Sequence, residues 1–443
     1  MNEKLKTKKT GRMCLLLLAA CSMSFFAIWS CESKNDSLDR GTYDPSQPVK
    51  VTGFEPDSGG MATKVLIHGD NFGADLSKIK VYFNTMRAPV VGSDGSRLYV
   101  ITPRQPGEEC TLSVVVEGDS AVLADKRFRY RTMTMVVTVA GKKGATEFKG
   151  GTLAEAAFDH PYMLCVDAEG NIFLSHWRVP YCFVLINLEQ DMVQALYTGD
   201  PLGAPTADAN GKVIMAPTDG GDGYYSFDPD AQWAPKSRLI LHPTAEQVAG
   251  GMKDFLISYK HGLSACLLDE CIYTKAVDGG IVKFDPLTRT GEELSNGILP
   301  WNEAFVYFDP YHPNILYLTG SKTHAIYTYD ILTKEFLLFA GYPGRSGWKD
   351  GARLEAEFNG PHQLIIDEDG SVLVADRFNH CIRKITPDGM VSTIIGKGSI
   401  AGYQDGNPED ALFDEPTGVA IDKDYNIYVA DYNNNVIRRL SVE

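Results

Sequence analysis

The stretch FNGPHQLIIDEDGSVLVADRFNHCIRKI at residues 358–385 returns as FDEPTGVAIDKDYNIYVADYNNNVIRRL at residues 413–440. The two copies are offset by 55 residues at their Phe, Pro, Asp and Ala-Asp positions. A weaker copy begins at Phe158, which precedes Phe358 by 200 residues, or four units of about fifty residues. Self-similarity at a fixed period of this size is typical of repeat architectures. The sequence therefore predicts that the C-terminal part of the chain is built from similar units.

Each unit contains four short apolar runs separated by turn residues, as expected for the four strands of a propeller blade. Degenerate copies between Phe158 and Phe358 bring the number of units to six. The last unit stops at Leu440 without an outer strand, whereas a spare strand precedes the first unit at residues 134–141. We expect this strand to complete the last blade, because closing the ring leaves no open sheet edge. The units resemble NHL repeats, which implies a six-bladed NHL-type β-propeller over residues 134–443.

A second kind of β-structure is predicted for residues 48–131, where short strands alternate with turn signals, as in a sandwich. The segment contains GFEPDSG at residues 53–59 and GDNFG at residues 69–73. These words resemble an immunoglobulin-like IPT/TIG domain. Such domains usually act as spacers or docking modules, so the resemblance implies no chemistry for this part. The predicted fold class is all-β, a sandwich followed by a propeller.

The N-terminal region carries the features of an export signal. Several basic residues precede an apolar run that ends at Trp29, after which the chain turns polar. This order is typical of a secretory signal, and a cysteine at its end resembles bacterial lipoprotein signals, in which that cysteine receives lipid. Cys31 is the preferred lipidation site and Cys21 the alternative, while an uncleaved anchor helix remains a further one. We expect a signal peptide at residues 1–30 and a flexible tether at residues 31–47.

The sequence also bears on location and partners. Acidic residues after the cysteine, Glu32 and Asp36, resemble the export signal of surface lipoproteins in gut anaerobes. The overall plan resembles accessory surface lipoproteins of glycan-uptake systems in such bacteria. The resemblance implies a lipid anchor in the outer membrane, facing the cell surface, and an outer-membrane transporter or surface lipoprotein complex as partner. The net charge of −15 argues against nucleic acid as a partner, because phosphate contacts require clustered Lys and Arg.

The candidate binding face follows from the position of each residue in its repeat. The loop that enters the inner strand and the loop between the second and third strands open on one face, where propellers usually bind ligands. Six of the nine histidines fall in these loops. We therefore predict ligand-binding residues in the entry loops at His160, His261 and His362, and in the second-to-third loops at His176, Trp177, Arg178, His324, Arg377, His380 and Tyr432.

Three functions remain open for this face. Aromatic rings stack on sugars and polar side chains bind hydroxyls, so non-catalytic binding of a glycan, or of a peptide, is the leading hypothesis. Clustered His and Asp also suit a metal or a general base, as in a lyase with an NHL-like propeller and zinc-binding histidines. No compact motif such as H-E-x-x-H is present, so we predict no metal and no cofactor and leave Zn²⁺ or Ca²⁺ and a hydrolase or lyase as the alternative. A protein-docking scaffold is the third.

Cysteine chemistry contributes little to these hypotheses. The chain has no C-x-x-C pair, so a metal knuckle or redox site is not expected. Cys266 and Cys271 flank a strand turn, and an exported protein would permit them to pair. The recurring Ala-Asp pair, seen at Asp376 and Asp431, is predicted to hold backbone groups rather than to catalyse.

Overall fold

The computed structural model describes residues 41–60, 62–103, 108–131, 134–218, 223–255, 257 and 260–442. Both lipidation candidates, Cys21 and Cys31, lie outside these residues, as does the whole predicted signal peptide. The described chain is almost entirely β-structure, which confirms the predicted all-β class. Within the described residues no helix is long and apolar enough to cross a membrane.

The N-terminal domain is a sandwich of short strands. Its strands are β1 (Lys50–Glu55), β2 (Ser58–Gly59), β3 (Lys64–Asp70), β4 (Ile79–Phe83), β5 (Met86–Ala88), β6 (Val90–Ser93), β7 (Arg97–Ile101), β8 (Glu109–Cys110), β9 (Leu112–Val116), β10 (Asp119–Val122) and β11 (Phe128–Tyr130), with a 3₁₀ turn at Leu76–Lys78. They form sheets in the orders β1-β3-β7-β6, β10-β9-β4-β5 and β2-β11-β8.

Alternating side chains build the core of this sandwich. In β9 the residues Leu112, Val114 and Val116 are buried, while the residues between them are only half-buried. This period of two is what a strand with one face on the core requires. Phe83 and Phe128 meet edge to face at the centre, with ring centroids 5.1 Å apart. The immunoglobulin-like sandwich is thus supported by its own hydrophobic core.

The described residues of the propeller form six sheets around an axis, which we number as blades 1 to 6. The first strand, β12 (Thr134–Gly141), belongs to blade 6. Blades 1 and 2 contain β13 (Pro161–Val166), β14 (Ile172–His176), β15 (Cys182–Asn187), β16 (Met192–Thr198), β17 (Thr206–Ala207), β18 (Ile214–Pro217), β19 (Gly223–Phe227) and β20 (Pro235–Ile240), with a 3₁₀ turn at Pro229–Ala231.

The remaining blades have the same plan, with an added short strand in blades 3 and 5. Blade 3 contains β21 (His242–Pro243), α1 (Ala245–Ala249), β22 (Ser264–Ala265), β23 (Ile272–Lys275), β24 (Ile281–Phe284) and β25 (Thr290–Ser295). Blade 4 contains β26 (Val306–Phe308), β27 (Ile315–Gly320), β28 (Ala325–Asp330) and β29 (Phe336–Gly341). Blades 5 and 6 contain β30 (Gly351–Ala352), β31 (Pro361–Ile366), β32 (Val372–Asp376), a 3₁₀ turn (Arg377–Asn379), β33 (Cys381–Ile385), β34 (Met390–Ile395), β35 (Pro416–Ile421), β36 (Ile427–Asp431) and β37 (Val436–Val442).

The ring is closed by pairing of the first and last strands. β12 runs antiparallel to β37, from Thr134 opposite Val442 to Gly141 opposite Val436. The spare strand before the first unit therefore supplies the outer strand that the last unit lacks. This closure pairs the edge that blade 6 would otherwise expose.

The recurring phenylalanines lie in the joints between blades. Phe158, Phe358 and Phe413 are fully buried. Phe158 shares a core cluster with Ala430 and Tyr428 of blade 6 as well as with strands of blade 1. The repeat therefore recurs in the sequence of blades 1, 5 and 6 because each of these blades buries the same ring against its neighbour.

The described cysteines are all free thiols, including Cys266 and Cys271. The pairing that the sequence permitted is not formed. The Cys266 thiol instead donates a hydrogen bond to the carbonyl oxygen of Pro313, at 3.3 Å.

Candidate functional site

The entry loops and the second-to-third loops lie side by side at one end of the propeller. Backbone hydrogen bonds join the two loops within blades 1, 5 and 6, with N–H groups of Trp177, Phe378 and Asn433 donating to carbonyls of His160, Asn359 and Asp414. The predicted residues of the two loop sets therefore share one face. We call this face the mouth.

Tyr162, the second residue of β13, forms the centre of the mouth. Its ring stacks on Trp177, with centroids 4.7 Å apart and an angle of 28° between the planes. Tyr432 and His362 meet the same ring at 5.9 Å and 5.2 Å, and Phe305 lies at 6.5 Å. Rings from blades 1, 4, 5 and 6 thus converge near the axis and narrow the channel at this end.

A three-residue polar cluster lies beside these rings. The Tyr162 hydroxyl donates to Glu303 Oε1 at 2.5 Å and lies 3.3 Å from His362 Nε2. Burial opposes ionisation of Glu303, yet its contacts with His362 and Tyr162 outweigh that effect and lower its pKa. Burial, together with the Glu303 charge, raises the pKa of Tyr162. At neutral pH Glu303 is therefore an anion and Tyr162 a neutral donor.

His362 connects this cluster to the neighbouring blades. It is fully buried, and its Nδ1 lies 2.9 Å from the carbonyl oxygen of Thr417, so Nδ1 carries a proton. The Thr417 hydroxyl in turn donates to the carbonyl oxygen of Tyr162 at 2.7 Å. These are the second residues of three inner strands, which side-chain hydrogen bonds thus hold together at the mouth.

The blade 1 side of the rim carries His160 and Arg178. His160 Nδ1 contacts the carboxylate of Asp159, and Arg178 Nε approaches the same nitrogen at 3.4 Å. The His160 ring meets Tyr432 at 4.5 Å. Arg178 itself is exposed, so it presents a cation that faces solvent.

The blade 5 side of the rim carries Arg377. Its Nε and Nη2 donate to one carboxylate oxygen of Glu415 at 3.0 Å and 2.9 Å. The guanidinium lies over the rings of Phe378 and Tyr432, at 4.9 Å and 5.1 Å. Arg377 is thus held in place, while the Phe378 ring remains 43% exposed.

A pocket of about 400 Å³ opens at this point of the mouth, between blades 4 and 5. Its walls combine an anion, two cations and an aromatic ring. They are formed by Glu303, Ser321, Lys322, His324, Gly360, His362, Arg377 and Phe378. Its volume lies within the range of about 300–1,000 Å³ that is usual for small-molecule sites.

His324 and His380 form joints between blades. His324 Nδ1 accepts a hydrogen bond from the backbone N–H of Gly360, in the next blade, at 3.1 Å. His380 Nδ1 accepts one from Glu415 N–H at 3.0 Å. In blade 6 the same position is occupied by Asn435, whose side-chain oxygen accepts from the N–H of the next blade's entry loop. Both histidines therefore use a ring nitrogen for the fold, although His324 also lines the pocket.

His176 is likewise engaged. Its Nε2 accepts from the N–H of Asp159 at 2.8 Å, so its Nδ1 carries the proton that points to the carbonyl oxygen of Arg178 at 3.1 Å. Burial lowers its pKa, so the ring stays neutral. It is 1% exposed, which leaves it no path to a ligand in this conformation.

The predicted residues thus fall into two groups. His160, Trp177, Arg178, His362, Arg377 and Tyr432 surround Tyr162, and His261 joins them through Phe305, whose ring lies 6.1 Å away. His176, His324 and His380 accept hydrogen bonds from backbone N–H groups.

The sequence analysis did not predict Glu303 and Phe305, because blade 4 begins without the Phe-x-x-Pro motif that marks the entry loop. The only sequence signal for Glu303 and Phe305 was their position shortly before the apolar run that begins at Ile315.

The described residues contain no group of three or more His, Cys, Asp or Glu side chains that could hold a metal ion. The histidines of the mouth come from blades 1, 3, 4 and 5 and contact backbone atoms, carboxylates or rings.

Comparison with protein families agrees with both parts of the fold. Residues 48–130 match the IPT/TIG domain and residues 413–440 match the NHL repeat. NHL repeat-containing protein 2 of Gallus gallus is 39% identical over 84 residues, which cover 19% of this chain and 11% of that protein. Protein SUPPRESSOR OF QUENCHING 1, chloroplastic, of Arabidopsis thaliana is 31% identical over 134 residues, which cover 28% of this chain and 13% of that protein. The matches therefore span about an eighth of these relatives.

Solved structures share the arrangement over most of the chain. An auxiliary nutrient binding protein from Bacteroides ovatus has a TM-score of 0.69 at 24% identity, covering 91% of this chain and 100% of that one. An auxiliary nutrient binding protein from Bacteroides thetaiotaomicron has a TM-score of 0.61 at 24% identity with the same coverage. At this identity the likeness shows the fold. The chain carries an IPT/TIG domain followed by an NHL-repeat β-propeller.

Proposed function

We propose that this protein is an auxiliary binding protein of the cell envelope that captures a glycan at the mouth of its propeller. The observation that carries the proposal is the pocket between blades 4 and 5, with the exposed ring of Phe378 at its edge. The two structures of the same fold that are named auxiliary nutrient binding proteins support a nutrient ligand.

The chemistry of the pocket suits a sugar better than an ion or an apolar molecule. Phe378 offers a flat apolar surface to the hydrogen-bearing face of a sugar ring. Glu303 accepts hydrogen bonds from hydroxyls, while Lys322 and Arg377 donate them. Opposite charges lie within one pocket and Arg377 is already paired with Glu415, so a neutral ligand with many hydroxyls fits best. The ion pair also holds the donor in place before the ligand arrives, which lowers the entropic cost of binding.

The cell-envelope location completes the proposal. We propose that Cys31, or alternatively Cys21, is lipidated in the outer membrane, and that residues 31–47 form a tether. Binding at the cell surface would deliver the glycan to an outer-membrane transporter or to a complex of surface lipoproteins. Mass spectrometry of protein extracted from membranes tests the anchor, since it would show lipid on the first residue of the mature chain.

The binding proposal is tested by calorimetry of the purified protein against a panel of oligosaccharides and peptides. Phe378→Ala should weaken glycan binding about fivefold or more, because truncating an aromatic anchor typically costs over about 1 kcal/mol. Leu287→Ala is the matched control, since Leu287 is 90% exposed in a turn outside the pocket. Binding of peptides but not glycans would contradict the proposal, and binding of neither would favour a docking scaffold.

The Tyr162–Glu303–His362 cluster favours one second candidate, a hydrolase or lyase. A neutral phenol hydrogen-bonded to a carboxylate and near an imidazole could move a proton during cleavage. Product analysis after incubation with each ligand decides between the two functions. Cleavage that is lost in Tyr162→Phe, with ligand binding retained, would establish the enzyme.

A further inference from the structure

A separate cavity of about 200 Å³ lies on the axis of the propeller, away from the mouth. Every blade contributes to its wall with residues in or next to its inner strand. Gln363 and Phe305 line it toward the mouth, and Leu267 and Pro310 line it toward the opposite end. None of the three residues in the polar cluster at the mouth lines it, so it is a distinct space.

The wall of this axial cavity is mainly aliphatic and aromatic, and its polar groups are largely used within the fold. The Gln363 side chain accepts from the N–H of Leu164 and donates to the same residue's carbonyl oxygen, at 3.1 Å and 2.6 Å. The Ser264 hydroxyl accepts from Phe308 N–H at 2.9 Å. These groups hold the inner strands together and have little capacity left for water.

Tyr307 is the exception. It lines the cavity from blade 4, and among the described residues its hydroxyl has no hydrogen-bond partner. The Cys165 thiol of blade 1, on the opposite side of the axis, is near enough to influence its ionisation, yet the two groups do not bond. Burial raises the pKa of Tyr307 to about 12, so the hydroxyl remains protonated. Half-buried Tyr307 therefore presents to the cavity a neutral hydroxyl donor that no described group accepts from.

We infer that the axial cavity is a second binding site, for a small molecule with an apolar body the size of one aromatic ring and a single polar atom that bonds Tyr307. An apolar cavity of about 150 Å³ is enough to bind benzene, so about 200 Å³ admits a ring with one substituent. The aliphatic wall provides burial for the body, and the unused hydroxyl selects molecules with an acceptor. This site does not depend on the glycan proposal, since it shares no residue with the pocket at the mouth.

The test is calorimetry of the purified protein with phenol and with toluene, which have similar shapes but differ in the polar atom. Phenol should bind the native protein more tightly than toluene. Tyr307→Phe should weaken phenol binding about fivefold to tenfold, as expected for one lost hydrogen bond, and should leave toluene binding unchanged. Ala265→Leu should abolish binding of both probes, because it fills part of the cavity.

Two controls keep the test decisive. Thermal unfolding of both variants checks that they fold, and Phe378→Ala removes the ring at the mouth without touching the axial wall. The inference is overturned if neither probe binds the native protein, or if toluene binds as tightly as phenol. It is also overturned if phenol binding survives Ala265→Leu or is lost in Phe378→Ala, since either result would locate the probe elsewhere.

Discussion

Blades 5 and 1 hold the same loop in two different ways. In blade 5 the buried carboxylate of Asp376 accepts from the N–H of Asn359 at 2.7 Å and is paired with Arg383 at 2.9 Å. Asp376 and Arg383 are both fully buried, and the guanidinium lies 5.0 Å from the ring of Phe358. Blade 6 repeats the arrangement with Asp431 and Arg438.

Blade 1 does without either charge. Strand pairing aligns His176 with Asp376 and Val184 with Arg383. A neutral imidazole nitrogen replaces the carboxylate as the acceptor for the entry loop, and a fully buried valine occupies the place of the arginine. Because one buried charge without its partner is strongly destabilising, the two positions have to change together. The comparison teaches that the entry loop needs a hydrogen-bond acceptor at this position. The ion pair is one of two ways to supply that acceptor.

Breaking the ion pair on one side should give the largest effect. Arg383→Leu would leave Asp376 buried without its cation and should lower the free energy of unfolding by about 3–5 kcal/mol. Urea denaturation measures the change. Lys397→Leu is the control, because both side chains of its ion pair with Asp410 are about half exposed and the pair should contribute less than about 1 kcal/mol. Equal losses in the two variants would refute the role assigned to the buried pair.

Placing the blade 1 residues at the equivalent positions of blade 5 should recover much of the lost free energy of unfolding. The double variant Asp376→His, Arg383→Val should be more stable than Arg383→Leu by at least about 2 kcal/mol, because no unpaired charge remains. The single variants Asp376→His and Arg383→Val complete a double-mutant cycle, measured by urea denaturation. Additive effects would show that the residues act independently, contrary to the comparison.

The joint formed by His380 should give a smaller effect. His380→Ala leaves the N–H of Glu415 without its acceptor and should cost about 1–2 kcal/mol. His380→Asn places the residue of blade 6 at the equivalent site of blade 5, so it should cost less. Thermal unfolding of both variants measures the difference. If Ala and Asn are equally destabilising, the hydrogen bond is not what the position supplies.

The sequence predicted the fold from residues that blades 1, 5 and 6 bury at the same position. Phe158, Phe358 and Phe413 recur because each fills the same joint, and such packing leaves a pattern in one sequence. The paired IPT/TIG words at Gly53 and Gly69 marked the sandwich in the same way. Strand bounds in blades 2 to 4 were harder to predict, because those blades keep the order of strands but lack the repeated sequence motifs.

The site was less predictable than the fold, for a physical reason. Repeat position placed His176, His324 and His380 on the mouth, but no sequence pattern shows whether a ring nitrogen is free or already holds a backbone N–H. Glu303 came from a degenerate blade and meets Tyr162, 141 residues away, only after the ring closes. Contacts across the axis depend on the number and tilt of the blades, which a single-sequence pattern does not specify.

The smallest effect is expected on lowering the pH. In blade 1 the acceptor for the entry loop is the imidazole of His176, whereas in blade 5 it is the carboxylate of Asp376. Burial lowers the pKa of His176, so the folded state keeps the ring neutral while the unfolded chain takes up a proton below about pH 6.5. This residue's contribution to stability is therefore complete above that pH and declines as the pH falls through it. His176→Gln keeps an acceptor for Asp159 and should reduce the loss of stability between pH 7.5 and 5.5 in urea titrations. Exposed His242→Gln is the control, and equal slopes for both variants would contradict a neutral buried His176. Part of the slope should persist in either variant, because burial also lowers the pKa of His261 and His324.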